Sequence, residues 1–204
     1  MKQDHLLTEG NVFHALLAFS VPFLIANLIQ ALYGAVDLMV VGWYCSPESV
    51  AAVSTGTQVT QIITNLVSGL TMGGTILVGK YTGMRDEEQT RRTIGTTLSV
   101  FAAVAVALTL VMLIFTDPIL ALLQTPAESA ALAKQYVTIC FYGIFFICGY
   151  NAISAILRGY GDSRRPMYFV ALSCILNIIG DFVFVKYLHM GVAGTALATV
   201  LSQA

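Results

Sequence analysis

From Gly10 to Val36 the chain carries no Lys, Arg, Asp or Glu. A spanning helix needs about 20 largely apolar residues, whereas the apolar core of a cleaved leader runs to about 7–15. The stretch therefore predicts a retained membrane helix, and more runs of the same kind follow it. Charged residues make up only 10% of the 204, against roughly 25% in a soluble domain. So few charges cannot cover a surface that faces water. Apolar runs of this length satisfy their backbone in lipid as helices, so the sequence predicts an all-α, polytopic transmembrane bundle.

Reading from charge to charge gives six spans. TM1 covers about 13–44, TM2 49–79, TM3 93–116, TM4 135–157 and TM5 166–188, and TM6 starts at 191. The Asp117-Pro118 and Thr125-Pro126 pairs predict a short surface helix between TM3 and TM4. The residues from Gly191 to Ala204 reach only about 21 Å as a helix, short of a hydrocarbon core of about 30 Å. The expectation is a six-helix N-terminal lobe cut within its last helix, with a C-terminal lobe as its missing partner.

Lys and Arg sort by loop. Lys2, Lys80, Arg85, Arg91, Arg92, Arg158, Arg164 and Arg165 fall on one side, Lys134 and Lys186 on the other. The positive-inside rule then predicts a cytoplasmic N-terminus in the inner membrane. A net charge of −1 argues against nucleic acid as a partner. Cys45, Cys140, Cys148 and Cys174 show no metal-ligand spacing, so neither a zinc site nor a disulfide framework is expected.

Asp37 and Asp181 are the acidic residues that lie inside spans. A charge at mid-membrane costs about 2.5–3.5 kcal/mol even on lenient scales, and such residues face a bundle interior and mark ion or substrate paths. Each stands seven residues before the end of its span, at Tyr44 and Leu188, or roughly 10 Å in. Thr199, eight residues after Gly191, lies at about 12 Å. The three polar groups therefore share one level.

Face analysis agrees. Ser173, Asn177 and Asp181 form one stripe on TM5, Thr195, Thr199 and Gln203 one on TM6, and Asn27, Gln30, Gly34 and Asp37 one on TM1. Ser54, Gln58, Gln61, Asn65 and Ser68 make a fourth on TM2, best read as interhelical hydrogen-bond glue. Two carboxyls at one level repel when both are charged. At least one should then exchange a proton or bind a cation, and the pair titrates as a unit. Oxygens from Asn177 and Thr199 also suit Na⁺ as hard ligands, so H⁺ and Na⁺ both remain open. Pro22 interrupts the helix hydrogen bonding of TM1 and is a candidate hinge below Asp37.

RGYGDSRRPM at 158–167, TEG at Thr8–Gly10, VPFLIANLIQALYGAVDLMVVGWY in TM1 and GVAGTALATVLSQ at 191–203 carry a resemblance. Together they resemble the MATE (multidrug and toxic compound extrusion) exporters, and the Pro22-to-Asp37 spacing is similar to the DinF-like branch. The resemblance covers the first of the family's two six-helix lobes. It implies a cation-coupled antiporter that exports amphipathic organic cations, with no cofactor beyond H⁺ or Na⁺. It also implies a coupling site at Asp37, Asn177, Asp181, Thr199 and Tyr136, with Gln30 and Asn151 lining the drug cavity. Two rivals stand beside it. A lipid-linked glycan flippase would need a cationic interior, and no Lys or Arg points to one. An intramembrane aspartyl protease would use a G-x-G-D aspartate at membrane depth, but here that residue is Asp162, among loop arginines.

Overall fold

The computed structural model describes residues 12–204 and is all-α, with no strand among the described residues. Lys2 and Thr8–Gly10 lie outside the described residues. Helix α1 runs Val12–Tyr44, α2 Pro47–Gly83 and α3 Glu87–Ile114. The short α4 (Thr116–Leu122) sits where the two X-Pro pairs predict a surface helix. Then come α5 (Ala127–Tyr142), α6 (Ile144–Gly159), α7 (Arg164–Asp181) and α8 (Gly191–Gln203).

Helices α1, α2 and α3, and α7 with its continuation to Tyr187, are each long and apolar enough to cross a membrane. α5 and α6 meet the same test as a pair bent by 45°. Helix α2 is the spine, packed along α5 and α6, while α1 lies along α7 and α7 along α8. The core is the seam between α2, α5 and α6, including Val53, Ile63, Val67, Val137, Phe141 and Ile144. Large side chains such as Leu24, Leu28, Leu66, Met72 and Leu172 point outward. That inversion suits a solvent of hydrocarbon, in which outward apolar surface costs nothing.

Two local features depart from six plain spans. TM4 is not one rod over 135–157: its helix breaks at Gly143, whose N–H bonds Cys140 O at 2.9 Å, tightening the ladder to three residues. α8 fills the break, since a Cβ on Gly143 would come within 2.6 Å of Val200 Cγ2. TM5 is α-helical only to Asp181 and continues as a π-helical turn, Phe182–Tyr187, in which Leu188 N–H bonds Val183 O at 3.0 Å. That turn presses on the start of α8, where a Cβ on Gly194 would lie 2.9 Å from Phe184 Cβ. Both departures follow from contact with α8, which hydrophobic spacing within one helix does not encode.

Candidate cation site

Asp37 projects from the C-terminal third of α1, and Val40 and Val41 beside it are buried too. Asp181 is the last residue of α7, and Asn177 stands one turn before it. Thr199 comes from α8 and Tyr136 from α5. All five are buried: relative exposure is 2% for Asp37, 0% for Asn177 and Asp181, 7% for Thr199 and 1% for Tyr136.

The structure brings them together. Thr199 Oγ1 donates to Asp37 Oδ2 at 3.1 Å and also reaches Thr195 O at 3.0 Å. The side chains of Asp181 and Asn177 are close enough to the Asp37 carboxyl to interact with it, and Tyr136 lies near both Asp37 and Thr199. The Tyr136 hydroxyl is also 3.5 Å from Thr57 Oγ1. A Cβ on Gly56 would fall 2.2 Å from Tyr136 Cδ1. Glycine at 56 is thus what lets the tyrosine ring lie flat against α2.

The oxygens are left largely unpartnered. Asp37 Oδ1, both oxygens of Asp181, both amide atoms of Asn177 and Thr195 Oγ1 are buried without a hydrogen bond. A buried polar group with no partner costs about 1–3 kcal/mol, and more if charged. Several on one spot are costly unless the spot binds something that they satisfy. Converging carboxylate, amide and hydroxyl oxygens are the hard donor set that a proton or Na⁺ would take.

Spacing singled out Ser173 but not Tyr33 or Ser202, which with it form a second layer of hydroxyls. One turn below the acids, Tyr33 on α1 donates to Thr199 O at 3.2 Å and contacts Ser202 Oγ. Ser202 also donates to Thr199 O at 2.9 Å, and Ser173 on α7 donates to Ser202 O at 2.6 Å. This lacing fixes α8 against α1 and α7, and so fixes Thr199 against Asp37. The signal was available: Tyr33 is four residues before Asp37 and Ser202 three after Thr199.

Other candidates lie elsewhere. Gln30 is exposed on α1. Asn151 is buried in α6, its amide bonded to Ile147 O of its own helix at 2.8 Å. Pro22 is buried within a continuous α1. On TM2, Gln58, Gln61, Asn65 and Ser68 are all exposed among the described residues, and Gln61 bonds Asn65 along its own helix at 3.2 Å. Period alone identified that face but not what it meets.

The MatE family model matches residues 22–183. The chain belongs to the MATE family. The probable multidrug resistance protein YoeA of Bacillus subtilis (strain 168) is 34% identical over 98% of this chain and 45% of its own length. A crystal structure of MATE in the bent conformation superposes with a TM-score of 0.90 at 32% identity, covering 95% of this chain and 43% of that one. The outward-facing conformation of a multidrug resistance MATE family transporter of the MOP superfamily gives 0.88 at the same identity and coverage. This MATE chain thus spans a little under half the length of the relatives it matches. It is a multi-pass membrane protein of a transporter family and not an enzyme. The protease reading therefore falls. Asp162 instead caps α7, its Oδ1 accepting from Arg164 N at 3.0 Å and Arg165 N at 3.1 Å.

Proposed function

We propose that this chain forms the N-terminal lobe of a MATE antiporter of the DinF-like branch, exporting drugs while H⁺ or Na⁺ enters. It would lie in the inner membrane with a cytoplasmic N-terminus, as the loop Lys and Arg residues favour. Its cargo would be amphipathic organic cations, and a second lobe would supply the other cavity wall, with Gln30 and Asn151 on this one. The supporting observation is the pair of buried carboxyls, Asp37 and Asp181, facing one interior spot with unpartnered oxygens. Buried Lys and Arg are absent among the described residues, which disfavours a flippase carrying an anionic pyrophosphate. Asp37, Asn177, Asp181 and Thr199 would hold the coupling ion, Tyr136 would back them, and Pro22 would let α1 bend as the ion binds.

A tenfold uphill gradient of a neutral solute costs about 1.4 kcal/mol, and one cation entering across 100 mV releases about 2.3 kcal/mol. A monovalent cationic cargo leaving against the same potential costs about 2.3 kcal/mol again, so its export calls for two coupling cations per cycle or for a concentration gradient of the coupling ion. Ethidium efflux from cells expressing the native gene tests the reading. Asp37→Asn and Asp181→Asn should each abolish efflux at unchanged expression, and efflux equal to wild type would overturn it. Efflux that persists without sodium but collapses under a protonophore assigns H⁺, and efflux that collapses on removing sodium assigns Na⁺.

A further inference from the structure

Helix α7 begins with an unusual division of labour. Ser163 occupies its N-cap, the place where a serine hydroxyl ordinarily accepts from the first free N–H groups of its own helix. Here it makes no such bond. The Asp162 carboxylate makes the capping bonds in its place. Ser163 is 4% exposed, and its hydroxyl points away from α7 to donate to the Phe19 carbonyl of α1 at 2.8 Å.

That carbonyl sits beside the weakest point of α1. Pro22 has no N–H, so the carbonyl of Ala18, next to Phe19, loses its helical partner and the local ladder is thinned. A second contact holds the other side of the proline: the Arg158 guanidinium lies over the Phe23 ring, 5.5 Å from its centroid. One grip comes from the last turn of α6 and the other from the connection that follows it, which Gly161 closes with a φ of +84° that suits glycine. The turn thus clasps α1 at 19 and 23, on either side of the break, about 21–27 Å along the helix from Asp37.

We propose that the α6–α7 turn is a latch on α1, with Ser163 and Arg158 as positioning residues that hold the Pro22 segment in its present course. Bending of α1 at Pro22 then requires release of this turn, so the hinge is controlled from a neighbouring loop as well as from the proline. The bending itself rests on the reading given under Proposed function; the clasp does not.

Amide hydrogen exchange of the whole chain in lipid nanodiscs, without drug and without sodium, tests it. Ser163→Ala should speed exchange over residues 19–24 by about tenfold, a loss of one hydrogen bond's worth of protection. Ser163→Thr, which keeps the hydroxyl, should restore wild-type rates, and exchange in α3 should not move. Phe23→Leu removes the ring beneath Arg158 and should loosen the same segment even if the serine variant does not fold. If Ser163→Ala instead frees residues 164–167 and leaves 19–24 unchanged, the serine serves α7 as an ordinary cap and the latch is wrong. Unchanged exchange at 19–24 in the folded variants overturns it equally. Because the readout is local exchange in α1 and α7 and not efflux, neither outcome depends on whether Asp37 and Asp181 couple transport.

Discussion

Replacing Asp181 by leucine should make the protein more stable while ending transport. The two side chains have the same number and branching of heavy atoms, but two methyls are bulkier than two carboxyl oxygens, so the gain appears only if the surroundings of Asp181 between α1, α7 and α8 take up the extra volume. Wild-type Asp181 is 0% exposed, and neither carboxyl oxygen has a hydrogen-bond partner. An unsatisfied buried polar group costs about 1–3 kcal/mol, and replacing buried charges by apolar groups of like volume commonly stabilises by about 1–4 kcal/mol. A gain of about 2 kcal/mol corresponds to about 4–8 °C in a chain of this size. Heating purified protein in detergent with a thiol-reactive fluorophore reads the change, because Cys140 and Cys148 are free and buried until the bundle opens. Asp181→Asn, which keeps polar atoms in the same place, should melt within about 2 °C of wild type by the same reasoning. A leucine variant that folds but melts several degrees below wild type would refute the argument, since the carboxyl would then be stabilising its surroundings.

Gly56→Ala drives a methyl into the Tyr136 ring and should cost about 1–3 kcal/mol. Pairing it with Tyr136→Leu should recover part of that loss in the same melting assay, whereas strictly additive losses would exclude the clash. Asp86 caps α3 by accepting from Gln89 N at 3.0 Å. Asp86→Ala should therefore cost about 0.5–2 kcal/mol and speed amide exchange over 87–90, with Asp86→Asn close to wild type.

What the sequence disclosed followed the cost of each residue. Asp37 and Asp181 stood out because a carboxyl inside an apolar run is expensive, and equal distances from their span ends put them at one level. The stripe through Ser173, Asn177 and Asp181 turned inward as its spacing predicts. The same logic says less about α2, because glutamine and asparagine are cheap enough to sit on either side of a helix and periodicity does not say which neighbour they meet. It could not see the break at Gly143 either, where the decisive atom belongs to Val200, or the destination of Ser163. A serine before a helix reads as a cap for that helix, and only the fold shows that Asp162 has taken the position.

The π turn after Asp181 carries a further meaning. Each of its rings closes over five residues where an ordinary helix uses four, so the segment behaves as a one-residue insertion absorbed without unwinding. A relative lacking it should align without a gap through Asp181 and then show a single deletion within 182–187. Matching such a pair by helical phase alone would rotate everything beyond that point by about 100°, so that Lys186 and Tyr187 would be compared with residues facing another direction.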